Sequence, residues 1–247
     1  VRTMASKIKQ VSAERIRVEL SKILVEGGAP RGLSMLEEAG LRQEILPELT
    51  LTDHLQRCLA LIKGPIEPDF AMGILLHECS ENEVEAIVRR LKLSNAEQSH
   101  IRALVGKQSI FAHVRGMARA PLKRFLRIDR FADHLELYRL QTVADGGGFA
   151  VLEFVREKLA AWSEKDLWPE VLISGDDLIA LGLEPGPSFR EILTLVEVCG
   201  EQVDPDIKSM KNLIPCNTTA EFFQWQGVII KIVRGHNFLS YIEIRLN

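Results

Sequence analysis

Between Val11 and Lys158 the chain repeats one pattern: apolar residues at three- and four-residue spacing, with serine, proline or glycine where each run begins or ends. Val11–Glu26, Gly32–Ala39, Leu51–Lys63, Pro68–Glu78, Glu81–Leu91, Ala96–Val105, Pro121–Ile128, Phe131–Ala144 and Phe149–Lys158 each carry such a face. No alternating run occurs before residue 212, and alternation is what a half-buried strand needs. Apolar stripes of this kind are buried only by packing helix on helix, so the expected fold class is all-α, a multi-helix array.

The punctuation is specific. Ser12 occupies an N-cap position, with Ile16, Leu20, Ile23 and Leu24 following at helical spacing; Arg15 at the third position excludes a full capping box. Gly27-Gly28 and Pro30 stop this helix, and Gly40 closes the next. Glu14 and Glu19 are expected to pair with Arg17, Lys22 or Arg15 along the surface. Val1 to Gln10 reads as the end of a helix begun upstream. Ser94 or Asn95 caps a later helix, and Pro121 reads as the first residue of its own. On that helix Leu122, Phe125 and Leu126 face inward, while Lys123, Arg124 and Arg127 face outward.

Residues 173–193 read as a helix-turn-helix hairpin: Ser174 caps, Gly182 terminates, Pro185-Gly186-Pro187 turns the chain and Ser188 caps again. Asp176 and Asp177 look like a metal pair but read better as first-turn carboxylates favoured by the helix dipole. The second helix start offers backbone N–H groups to a phosphate. Phe222–Ile232 and Phe238–Leu246, rich in β-branched and aromatic residues and separated by Gly235-His236-Asn237, read as a short C-terminal β-hairpin.

Composition limits the partners. With 46% hydrophobic and 26% charged residues and a net charge of −3, a nucleic-acid surface has to come from local clustering. No run approaches the roughly 20 apolar residues that span a bilayer, so no membrane is expected as a partner. Cys58, Cys79, Cys199 and Cys216 are scattered without a C-x-x-C pair, which fits reduced thiols in a cytoplasmic protein. The local cluster lies between His113 and Arg130, where Arg115, Arg119, Lys123, Arg124, Arg127 and Arg130 accompany a single acid, Asp129. It suits a phosphate backbone; the plainer alternative is a solvated helix face. Arg89, Arg90, Lys92 and Lys107 extend the cluster if the helices stack. Trp162, Trp168, Phe222, Phe223 and Trp225 suit base stacking or, more commonly, packing.

Ser12, Glu14, Arg15, Ile16, Glu19 and Leu20, then Gly32, Leu33, Leu36, Gly40 and Leu41, then Leu46-Pro47-Glu48 follow S-x-E-R-I-x-x-E-L, G-L-x-x-L-x-x-x-G-L and L-P-E in order. In this the chain resembles the neck of bacterial tRNA nucleotidyltransferases (CCA-adding enzymes) and poly(A) polymerases. Gly175 to Phe189 resembles a signature of the same family's C-terminal body. The resemblance implies a neck (1–50), a helical body (51–168), a helix-turn-helix unit (169–210) and a divergent tail (211–247). It implies tRNA as partner, held through backbone phosphates of the elbow and acceptor region, with Glu14, Arg15 and Glu19 in the neck motif.

In the family the chemistry lies in an N-terminal head, where an acidic pair holds magnesium against CTP or ATP. Neither that pair nor the nucleotide-selecting Glu-Asp-x-x-Arg is found in this sequence. The resemblance therefore implies no catalysis by this polypeptide alone, magnesium and CTP or ATP only for a complete member, and a separate catalytic head as a further partner.

Asp53-His54-Leu55 and Leu75-Leu76-His77-Glu78 resemble the first two ligand segments of the HD phosphohydrolase domain that many relatives carry after the neck. The departures are large: Glu78 stands for the aspartate, Cys79-Ser80-Glu81-Asn82 replaces the usual following loop, and Gln141 stands at the closing aspartate. No metal is expected; His54 and His77 read as remnants in a degenerate HD-like region. The second reading of the chain is such a region acting as a protein-binding scaffold without catalysis.

Overall fold

Short polar side chains decide where the helices begin. The computed structural model describes residues 2–168, 174–180, 184–187, 189–190, 192–194, 220–225, 228–234 and 240–246. A 3-10 helix, Arg2–Gln10, leads into α1 (Ala13–Val25), where the Ser12 hydroxyl accepts from the Arg15 N–H at 3.4 Å. Then come α2 (Ala29–Glu38), with Pro30 in its first turn, and α3 (Leu41–Ile45), entered through Gly40 at φ +73°. Thr52 caps α4 (Asp53–Ala60), accepting from the Leu55 N–H at 3.0 Å. After α5 (Pro68–Leu76), full capping boxes open α6 (Glu81–Arg90), through Ser80 and Glu83, and α7 (Asn95–Gly106), through Ser94 and Glu97. A second 3-10 helix, Gln108–Gly116, precedes α8 (Arg119–Leu126), α9 (Phe131–Ala144), α10 (Ala150–Ala161), α11 (Glu164–Leu167) and α12 (Gly175–Ala180). The all-α expectation holds for the body.

The chain forms two compact units, Val1–Gly116 with Ile128–Ala161, and Met117–Arg127 with Trp162–Asn247. In the first, α5 is buried on every side from Phe70 through Leu76. Such a helix has no polar face to give to solvent, so its neighbours wrap it; it packs on α1, α4 and α7. Leu20, Leu24, Leu33, Leu46 and Leu49 share one core with Leu55, Ile74, Ile87, Leu104 and Leu137. The boundary expected at residue 50 thus falls inside this unit.

In the second unit α8 begins at Arg119 rather than Pro121, placing proline third in the helix, where an N–H has no intrahelical partner to lose. Ser174 and Asp177 form a reciprocal cap, the Ser174 N–H donating to the Asp177 carboxylate at 2.8 Å. Asp177 is used as the capping reading supposed. Gly182 and Ser188 of the expected hairpin lie outside the described residues, as do Cys199, Cys216 and Gly235 to Asn237. The tail forms a three-stranded antiparallel sheet in the order β1 (Ala220–Trp225), β2 (Val228–Arg234), β3 (Ser240–Leu246). The single strand expected over Phe222–Ile232 is two strands: Trp225 pairs with Val228, and the two residues between them are Gln226 and Gly227. Glycine is favoured in so short a connection.

A close helix approach in the core occurs at Gly73, where an added Cβ would lie 2.6 Å from Leu104 Cδ1. Leu104 is fully buried and has little room to move. We predict that Gly73→Val destabilises the chain by about 2–3 kcal/mol, as overpacking does, measured by urea unfolding; unchanged stability would show that this seam is not tightly packed.

Candidate functional site

Three groups of residues in the structure offer chemistry. The first is the neck. An added Cβ at Gly32 would overlap Ile23 Cγ2, so glycine is what lets α2 cross α1 closely. The Arg42 guanidinium pairs with Glu37 and donates to the Leu49 carbonyl at 2.9 Å, fixing α3 and the Leu-Pro-Glu turn after it. The hydrogen bond from Arg42 to Glu37 raises the arginine pKa above its ordinary value.

The motif acids are used structurally. Glu14 accepts from Lys92 Nζ at 2.9 Å, Arg17 donates to the Lys92 carbonyl at 2.8 Å, and Glu48 accepts from Arg90 at 2.6 Å. Lys92 itself takes a left-handed conformation, φ +52°, just after α6. Glu19 pairs with Lys22 at 2.9 Å, as the spacing suggested. Arg89 pairs with Glu85, so three of the cations expected to extend the basic cluster are matched by acids. Arg15, with Lys7 and Arg31 near it in sequence, is exposed.

The second group is the basic helix. In its own unit α8 sets Lys123 Nζ 5.6 Å and the Arg119 guanidinium 5.9 Å from the Trp162 ring, while Arg127 lies 5.6 Å from the Trp168 ring and donates to the Leu167 carbonyl at 3.2 Å. These are cation–π arrangements. The outward position expected for Lys123 is corrected: its side chain is buried, because a lysine stem is apolar and the ammonium lies against the Trp162 ring. Arg119 and Arg115 are exposed, and Arg124 and Arg127 are half-buried. Arg130, in the other unit, pairs with Asp69 and with Asp133 at 2.8 Å. The side chains of Phe222, Phe223 and Trp225 lie outside the described residues.

The third group was not foreseen as a set. His54 and Cys58 are one turn apart on α4, and His77 follows the end of α5. One ligand atom from each of the three lies within 4.8 Å of the others. Glu78 accepts from the Thr52 hydroxyl at 2.7 Å and faces His54 Nδ1 at 2.7 Å. Burial alone would raise the Glu78 pKa, but the hydrogen bonds from Thr52 and His54 outweigh it and the net shift is downward. As a carboxylate Glu78 only accepts, so His54 Nδ1 carries the proton. His77 Nδ1 likewise donates to the Ile74 carbonyl at 2.7 Å. Burial lowers the His77 pKa and raises the Cys58 thiol to about 11.

Asp145, at the end of α9, stands 3.3 Å from His54 Nε2. All but Cys58 line a cavity of about 520 Å³ with Gln141, Gly147 and Gly148. The sequence does not single out Cys58 or Asp145, which stands one helical turn beyond Gln141. The i, i+4 spacing of His54 and Cys58 was the available signal.

Nearby in the same unit, His100 sits between Asp69 (2.9 Å) and Asp133 (3.2 Å). His134 is fully buried with neither ring nitrogen partnered among the described residues. Burial, with Lys107 and His100 adding to it, lowers the His134 pKa to about 4. Its folded value is below the unfolded one near 6.5, so its stabilisation is complete above about pH 6.5 and is lost as pH falls towards 4. At ~1.4 kcal/mol per unit this is worth roughly 3–4 kcal/mol. Urea midpoints should therefore fall between pH 7 and pH 4.5 in the parent chain and fall much less in His134→Leu; equal falls in both would assign the acid sensitivity elsewhere.

Residues 1–52 match the family model described as "Probable RNA and SrmB- binding site of polymerase A". The chain is similar to an A-adding tRNA nucleotidyltransferase of Deinococcus radiodurans, 28% identical over 232 residues, covering 73% of this chain and 52% of that protein. It is also similar to a CCA-adding enzyme of Lactococcus lactis, 25% identical over 201 residues, covering 77% of this chain and 46% of that protein. The chain spans about half the length of these curated relatives. A solved complex of a CCA-adding enzyme with ATP aligns at a TM-score of 0.47 and 13% identity, covering 84% of this chain and 53% of that one. Among the described residues no helix is long and apolar enough to cross a membrane.

Proposed function

We propose that the chain is a member of the tRNA nucleotidyltransferase family and supplies the neck and body that hold tRNA during 3′-end processing. The observation that carries this reading is the match of residues 1–52 to the RNA-binding segment of polymerase A. Within that segment Glu14, Glu48 and Arg42 brace the helices, which leaves exposed Arg15, Lys7 and Arg31 to meet phosphates. In the second unit the exposed Arg119 and the half-buried Arg124 are the α8 cations best placed for the same task. Arg115 offers a further exposed cation, whereas Lys123 acts through its tryptophan contact and Arg130 through its carboxylate pairs. Magnesium and CTP or ATP belong, on this reading, to a catalytic head that partners the chain in the cytoplasm.

A net charge of −3 gives no general attraction to RNA, so binding should depend on a few cations and weaken steeply with salt. Fluorescence anisotropy of labelled tRNA across salt concentrations tests this. We expect Arg15→Glu with Arg31→Glu to weaken binding at least about tenfold and to reduce the log–log salt slope by about 2, one unit for each phosphate no longer neutralised. Arg119→Glu with Arg124→Glu should act in the same direction. No binding by the parent chain at low salt, or the same slope in both variants, would refute the assignment.

A further inference from the structure

We propose that His54, Cys58 and His77 form a binding site for a zinc-class divalent cation, with its fourth position open to the cavity beside Asp145.

The donors are already oriented. A metal-binding imidazole commonly donates its second ring N–H to a carboxylate or a backbone carbonyl, which fixes the tautomer and aims the other nitrogen. Both arrangements occur here, His54 Nδ1 to Glu78 and His77 Nδ1 to the Ile74 carbonyl. Each leaves Nε2 as the ligand atom. His77 Nε2 is buried, on a side chain only 2% exposed, and among the described residues it has no hydrogen-bond partner; Glu78 Oε1 lies 3.8 Å away. A buried nitrogen left unpaired is costly, and a metal ion would satisfy it.

The spacing also fits. Zinc bonds of about 2.0–2.3 Å place tetrahedral ligand atoms roughly 3.3–3.8 Å apart. Cys58 Sγ lies 3.7 Å from His54 Nε2, and the ligand atoms of all three residues lie within 4.8 Å of one another.

This set differs from the HD arrangement weighed in the sequence. There the acid after the second histidine is a ligand, whereas Glu78 here is engaged by Thr52 and His54. Cys58 takes its place and brings a sulfur donor, which shifts the preference from magnesium or manganese towards zinc. Binding replaces the Cys58 S–H bond by a metal–sulfur bond and releases one proton to solvent, with no change of oxidation state. The site does not depend on the tRNA reading.

Cobalt(II) substitutes spectroscopically for zinc and is the probe of choice. The full chain, freed of metal by chelator, is titrated with Co²⁺ under reducing conditions. We expect one equivalent bound, intense visible bands of a four-coordinate ion, a near-ultraviolet sulfur-to-cobalt charge-transfer band, and stoichiometric displacement by Zn²⁺. Cys58→Ser should lose the charge-transfer band, and His77→Gln should bind at least tenfold more weakly. Cys79→Ser, which alters the other described free thiol, should leave the spectrum intact. The parent spectrum decides the matter even if a variant misfolds, which circular dichroism would reveal. Absence of the charge-transfer band in the parent chain, or its persistence in folded Cys58→Ser, overturns the proposal.

Discussion

The first unit depends on burying α5 from all sides. Its seven consecutive buried residues, Phe70 through Leu76, present an apolar surface that a single partner helix cannot cover. α1 approaches from the N-terminal side of the sequence, α4 and α7 from later segments, so helices on either side of residue 50 share one core. Fully burying a large apolar side chain contributes about 1.5–3 kcal/mol, and α5 concentrates Phe70, Met72, Ile74, Leu75 and Leu76 in one helix. The polar devices lie around it: capping boxes at Ser80 and Ser94 start the surrounding helices, and Arg90 and Lys92 tie α6 and its end back to Glu48 and Glu14.

This architecture separates two uses of charge in the neck. Most residues of the recognisable motif turn out to be scaffold. Gly32 permits a close helix crossing, Gly40 supplies a left-handed turn, and the carboxylates of Glu14 and Glu48 are matched by cations from elsewhere in the chain. A segment in which Glu14, Glu19, Glu37, Glu44 and Glu48 are paired presents its exposed arginines with less opposing charge nearby. That is how an acidic protein can offer a locally basic face without a basic composition. Arg119, Lys123 and Arg127 are held differently, against tryptophan faces, where the rings limit side-chain freedom.

Much of this was legible in the sequence. The caps at Ser12, Ser94 and Ser174 and the apolar run of α5 come from local spacing, and local spacing is what a sequence records. Asp176-Asp177 was separable from a metal pair for the same reason, since capping is a local event. The inward turn of Lys123 was not legible: a lysine stem is apolar, and whether it is buried depends on Trp162, 39 positions away in the chain. The grouping of His54, Cys58, His77 and Asp145 was hidden for a similar reason. Three elements converge there, and comparison with a known ligand pattern directed attention to Gln141 instead of the carboxylate one turn later. The tail read as one hairpin because Gln226-Gly227 interrupts an otherwise continuous β-forming run by only two residues.

On the proposed reading, α1 and α2 meet tRNA. Amide hydrogen exchange of the chain, with and without tRNA, measures this directly and peptide by peptide. Slower exchange concentrated in peptides covering α1 and α2 (Ala13–Val25 and Ala29–Glu38) is the predicted result. Unchanged exchange across residues 1–52 at tRNA concentrations that saturate binding would contradict it and place the RNA interface elsewhere on the chain.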